Sequence, residues 1–154
     1  MFQIESNWAW AAGLFDGEGH VSCRNRTGSS HLPKYRSPRS IVLTINQHHE
    51  EVLDRFILVT GGRVNKYHFT KTRPKQSKLT GTYDSWGVRT GKRDNVIYIV
   101  DHMWPWLGSV KRLQAASSLI LHTSLDPKGT DVLPSYMIDY YNDRAGDFDR
   151  EEQR

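Results

Sequence analysis

Cysteine occurs once in the 154 residues, at Cys23. A single thiol cannot close an intramolecular disulfide, and a four-cysteine zinc site is excluded with it. A reducing compartment is expected. No apolar run approaches the roughly 18 residues that a membrane helix needs. The opening Met1-Phe2-Gln3-Ile4-Glu5 lacks the positive start and apolar stretch of a secretory signal. A soluble intracellular protein without a membrane partner is therefore expected. Acidic residues are scarce through the middle of the chain. From His20 to Arg93, 15 Lys and Arg stand against Glu50, Glu51, Asp54 and Asp84, a balance of +11. The remaining residues hold six basic and 13 acidic side chains, a balance of −7. Charge segregated in this way suggests a face for a polyanion. Nucleic acid is favoured over an anionic membrane surface, because no basic amphipathic helix is visible.

What is present suits one folded domain. Hydrophobic residues make up 37% and charged residues 25%, a globular rather than a disordered balance. The stretch from Trp8 to His20 organises the rest. Ser6 or Asn7 can cap a helix there by satisfying free N–H groups of its first turn. Ala9, Gly13 and Gly17 recur at four-residue spacing with Ala12 beside them, while Trp8, Leu14 and Phe15 can fill a core. Gly17 and Gly19 bracket the end, where a chain leaving a helix often needs positive φ.

Two features of this helix are costly. An interior glycine at position 13 costs about 1 kcal/mol relative to alanine. Asp16 and Glu18 sit where the helix dipole is negative and a carboxylate is disfavoured. Broken local rules mark special packing or function. The glycines would let another helix approach at backbone distance, and the acidic end would suit a cation.

Downstream, Val21 and Cys23 alternate with Ser22, Arg24 and Arg26, the pattern of a half-buried strand. A loop follows over Thr27 to Tyr35. Arg36 to Gln47 alternates again: Ile41, Leu43 and Ile45 form the apolar set, with Arg36, Ser40, Thr44 and Asn46 opposite. A helix is expected over His48 to Thr60, stopped by Gly61-Gly62. Strands are expected over Arg63 to Phe69 and Tyr83 to Arg89, with a basic loop between them. That loop is either an arm over phosphates or a solvated connection. Trp86 and Val88 should point inward, and Ser85 and Arg89 outward. Helices are expected from about Asp94 to Trp106 and Lys111 to His122. The last part, from Asp126, is acidic, with a short helix over Pro134 to Arg144 and a frayed end.

Ala11-Ala12-Gly13-Leu14-Phe15-Asp16-Gly17-Glu18-Gly19 resembles the motif that names the LAGLIDADG homing endonucleases. Later stretches are similar to the family's pattern in the same order: Trp86-x-Val88, then Trp104-Pro105-Trp106-Leu107, then Lys111-x-x-Gln114-Ala115. The resemblance implies an α+β fold, an αββαββα core with a curved antiparallel sheet forming a saddle, here with extra C-terminal helices. It places the endonuclease domain in residues 1–125 and leaves 126–154 as an acidic extension.

Members with one such motif form homodimers whose motif helices pack at a twofold axis. The resemblance thus implies an interface at Ala9, Ala12, Gly13 and Asp16, and a near-palindromic double-stranded DNA target. Glu18, with the Gly17 carbonyl, would hold Mg2+ or Mn2+, and water activated there would hydrolyse a phosphodiester. Asp16 matches an acidic position that is more often structural than a ligand. Gln47 matches a position for a polar residue beside the attacking water, or is a surface residue at a strand end. A lysine is also expected there, with Lys92 the first candidate and Lys111 the next. The strand faces offer Ser22, Arg24, Arg26, Arg36, Arg39, Ser40, Thr44, Asn65, Tyr67, Ser85 and Arg89 for DNA. Two alternatives share the fold: an RNA maturase whose partner is intron RNA, and a non-catalytic DNA-binding protein.

Overall fold

Ile41, Leu43 and Ile45 alternate with polar residues, so one face of this strand must be covered and the other can stay open. The computed structural model, which describes residues 2–24, 40–76, 78–125 and 133–152, has that arrangement. Its elements are α1 (Phe2–Glu18), β1 (Gly19–Arg24), β2 (Ser40–Gln47), α2 (Glu50–Val59), β3 (Asn65–Thr72), β4 (Thr82–Thr90) and α3 (Arg93–Met103). A 3-10 turn over Trp104–Trp106 leads to α4 (Ser109–Leu125) and α5 (Ser135–Glu152). This is an α+β fold with the expected αββαββα order and extra helices after it. The four strands are all antiparallel and lie in the order β1-β2-β4-β3.

The helices cover one face of the sheet. Val21, Ile41, Leu43, Ile45 and Val88 point into a shared core with Trp8, Phe15, Leu53, Phe56, Ile99 and Met103. Each fully buried side chain of this size contributes about 1.5–3 kcal/mol relative to exposure. Helix α5 joins the same core through Met137, and Leu133 ahead of it is buried there too. Tyr140 donates from its hydroxyl to the Ser109 carbonyl (3.2 Å), tying α5 to the start of α4.

Several boundaries differ from expectation. Helix α1 begins at Phe2, so neither Ser6 nor Asn7 caps it. Asn7 instead offers its side-chain oxygen to Arg55 on α2 (3.4 Å). The β3–β4 ladder runs on to Thr72 paired with Thr82, so Lys71 belongs to a strand rather than to the basic loop. Backbone pairing outweighs the polar composition there. Helix α5 is 18 residues long, well beyond the short helix expected.

Candidate functional site

Position by position, α1 separates an inward from an outward flank. Trp8, Ala11, Ala12 and Phe15 are buried, while Gly13, Gly17 and Glu18 are exposed and Ala9 is half-buried. Ala12 is therefore not part of an exposed small-residue surface. The helical period puts it beside Trp8 and Phe15, fully inside the core. Ala9, Gly13 and Gly17 remain as the outward stripe. A Cβ added at Gly13 or Gly17 would meet nothing within 4 Å.

The helix ends without a left-handed residue. Positive φ occurs at Gly61, Gly62 and Gly81, but not at Gly17 or Gly19. Glycine at 19 answers a steric demand instead: a Cβ there would lie 2.1 Å from a carbon of the Phe15 ring. The chain passes directly from Glu18 in α1 to Gly19 in β1. The cost of acids at this helix end is offset across the molecule. Both Asp16 oxygens accept the Gly108 N–H at 3.0 Å, just ahead of α4. The Lys111 ammonium donates to the Gly19 carbonyl (2.5 Å). Among the described residues, Glu18 has neither a hydrogen bond nor an ion pair.

Helix α4 explains why Lys111, Gln114 and Ala115 occur at that spacing. Gln114 accepts the Val21 N–H (3.1 Å), and Ser118 donates to the Val21 carbonyl (3.3 Å). Ala115 is fully buried between them. These positions lie on one face of the helix. That face closes the outer edge of β1, whose backbone groups at Val21 have no neighbouring strand among the described residues.

Lys111 thus stands at the carboxylate end of α1, and Lys92 does not. Gly19 lies level with Ile45 and Val88, whereas β4 ends at Thr90, level with Leu43 and Val21. Lys92 leaves the sheet in the direction away from Glu18 and precedes α3. The signal for Lys111 was in its own motif, since Gln114 fixes the helix one turn along. Gln47 lies two residues past Ile45, alongside the handover from α1 to β1. Its side-chain oxygen accepts the His48 N–H (3.1 Å), leaving its NH2 group free to donate elsewhere.

The uncovered sheet face carries a polar row. His20, Thr44, Arg89 and Asn65 are paired in sequence across β1, β2, β4 and β3. Ser22 and Arg24 continue this face along β1, and Ser40 stands opposite Arg24. Tyr67 lies beside the row and stacks on Phe69, with centroids 5.7 Å apart. Ser85 is the exception. It is 1% exposed and its hydroxyl donates to the Gln47 carbonyl (3.2 Å), so it is a structural residue rather than a DNA contact. It pairs with Phe69, whose ring lies on the same face. Arg26, Arg36 and Arg39 lie outside the described residues.

His20 also lies on this face, although it is not among the residues expected to contact DNA. Its parity with Ser22 and Arg24 places it there once the strand starts at Gly19. Partial loss of hydration, then the Lys111 and Arg24 charges, hold its imidazole below the ordinary histidine value. Asn46 has the same parity as Thr44 and also belongs to this face.

Among the described residues, no three His, Cys, Asp or Glu side chains gather as a metal cluster. The donor set at the end of α1 is smaller: the Glu18 carboxylate and the Gly17 carbonyl, which lies in a last turn where helices leave C=O groups without i+4 donors. An all-oxygen set with few protein ligands suits magnesium, which keeps several waters and takes phosphate oxygens. Among the described residues, no helix is long and apolar enough to cross a membrane.

No protein-family model matches the chain, and no curated protein does. Solved structures do. The homing endonuclease I-CvuI, in complex with its target in the presence of 2 mM Ca, aligns with a TM-score of 0.56 at 21% identity. The alignment covers 95% of this chain and 83% of that one. The I-SmaMI LAGLIDADG homing endonuclease, bound to cleaved DNA, gives a TM-score of 0.51 at 16% identity over 88% of this chain. The LAGLIDADG meganuclease I-CpaMI, bound to uncleaved DNA, gives 0.50 at 19% identity over 80%. This chain spans 41% of the I-SmaMI chain and 39% of the I-CpaMI chain. It has the fold of the LAGLIDADG homing endonucleases.

Proposed function

We propose that this chain is a LAGLIDADG homing endonuclease, a homodimer that makes a double-strand break in a long, near-palindromic DNA site by metal-dependent phosphodiester hydrolysis. The observation that carries this is Glu18. It is an exposed carboxylate with no partner among the described residues, beside an open polar sheet face. Asp16, two residues earlier, is committed to Gly108, so the two acids of the motif divide into one structural and one available group.

The outward stripe of Ala9, Gly13 and Gly17 supports the dimer. It would let α1 of a second copy approach closely, bringing two Glu18 carboxylates together.

Glu18 and the Gly17 carbonyl would hold Mg2+ or Mn2+, with phosphate oxygens and water completing the set. When bound, such an ion favours attack of water on phosphorus and stabilises charge on the departing oxygen. The water oxygen bonds to phosphorus as the bond to the sugar oxygen breaks. Lys111 carries three N–H donors and spends one on Gly19, so the others can face the charge that grows on the phosphate. The free NH2 of Gln47 would orient water or phosphate. Arg89, Arg24, Thr44 and Asn65 face the duplex, with His20 among them. A two-stranded β-ribbon fits the major groove.

Incubation of the protein with a randomised duplex DNA library, in magnesium and in calcium, tests the assignment. Cut products of one sequence class in magnesium, and bound but uncut DNA of that class in calcium, are expected. Glu18→Gln should bind that DNA and not cut it. Cleavage by Glu18→Gln would sink the metal role. Selection of structured intron RNA with no duplex selected would favour the maturase.

A further inference from the structure

Gly87 has an unusual covering. It pairs with Tyr67 on one side and Asn46 on the other, so the three share one row across β3, β4 and β2. A Cβ at Gly87 would lie 2.3 Å from Tyr67 Cζ and 2.6 Å from Asn46 Oδ1. The Tyr67 ring therefore lies across β4 in the space that a side chain at 87 would fill. Its hydroxyl reaches β2, donating to Asn46 Oδ1 (2.8 Å) and standing 3.3 Å from Thr44 Oγ1. The ring is still 37% exposed, so its outer side is open.

A phenol has one proton. With that proton on Asn46, the Thr44 contact requires the threonine hydroxyl to donate to the tyrosine oxygen. The direction of the whole network then follows. The Thr44 proton is spent, leaving lone pairs to face outward. Asn46 Oδ1 is turned onto the Tyr67 hydroxyl, leaving its NH2 group to face outward. Between them lies an apolar ring surface. Free Asn and Thr side chains could each donate or accept; here the Thr44 proton is committed and the Asn46 amide is oriented before any ligand arrives.

We propose that Thr44, Tyr67 and Asn46 form one base-reading element of fixed polarity, a donor at Asn46 and an acceptor at Thr44, locked by the Tyr67 hydroxyl across Gly87. Its ligand is the major-groove edge of duplex DNA, so it rests on the DNA assignment above. The Asn46 NH2 accepts company only from acceptors: guanine O6 and N7, adenine N7 or thymine O4. It disfavours cytosine, which presents an amino donor. Thr44 favours the amino group of adenine or cytosine, and the ring surface suits the thymine methyl.

Selection from a randomised duplex library in calcium buffer, with the full chain, tests this. The wild-type protein should yield a motif in which one base pair per half-site excludes cytosine on the strand facing Asn46. Tyr67→Phe keeps the ring and removes the lock. It should keep the motif elsewhere but lose discrimination about tenfold at the base pairs facing Asn46 and Thr44. Asn46→Asp exchanges an outward donor for an acceptor and should turn the cytosine exclusion into a cytosine preference. An unchanged motif with either variant overturns the fixed polarity while leaving DNA recognition intact. Failure of the wild-type protein to enrich any duplex overturns both.

Discussion

Both carboxylate oxygens of Asp16 stand 3.0 Å from the Gly108 nitrogen, so the acidic end of α1 is held against the start of α4 by a charge-assisted hydrogen bond. The same helix end meets α4 a second time through Lys111 and Gly19. Two residues apart in the motif, Asp16 and Glu18 have opposite fates because one reaches this junction and the other does not.

Asp16→Ala removes the acceptor for Gly108 and should destabilise the fold by about 1–2 kcal/mol, since the bond is solvent-exposed. Asp16→Asn keeps an acceptor and should lose less. Urea denaturation of both variants checks the order. Equal stability of Asp16→Ala and the parent would show that the junction contributes nothing.

Glycines 13 and 19 should respond in opposite ways. Gly19→Ala drives a methyl into the Phe15 ring and should cost about 1–3 kcal/mol through overpacking. Gly13→Ala meets open space and should leave the fold of one chain intact or strengthen its helix by up to about 1 kcal/mol. Gly13→Leu tests association: sedimentation should report monomers of normal fold. An intact Gly13→Leu dimer would place the interface elsewhere.

Lysines 92 and 111 can be separated by kinetics. Lys111→Met should lower the cleavage rate about a hundredfold, the order expected for loss of one group that stabilises transition-state charge. Lys92→Met should cut at nearly the parental rate. The reverse order in single-turnover assays would return the role to Lys92.

Affinity for duplex DNA should fall steeply with salt, because each neutralised phosphate releases counterions. Arg89→Ala should reduce the slope of log K against log salt by about one if it contacts phosphate. A wild-type slope near zero would refute the charged sheet face as the binding surface.

Much of this was legible in the chain because period and charge are local signals. Ile41, Leu43 and Ile45 announced β2, and the motif around Asp16 and Glu18 announced the helix end. Failures came where a distant residue decides. Ala12 looks like Gly13 in sequence, yet a rotation of one position puts it in the core. Ser85 has the parity of Arg89, but Phe69 and the Gln47 carbonyl claim it. Lys92 is near the expected strand end, while Lys111 reaches Gly19 from 92 positions away. Glycine at 19 was expected for its backbone freedom; it is required by the Phe15 ring.

The capping of β1 by Gln114 and Ser118 has a further consequence. With that border sealed by side chains, no additional strand can zip onto the sheet beside β1, whether from a neighbouring molecule or a misfolded one. In the dimer proposed above, the two sheets would then not join through their β1 borders. In that proposed arrangement the gap between the two sheet faces would follow from how closely a pair of α1 helices can nest, and Gly13 would set the spacing of the half-sites.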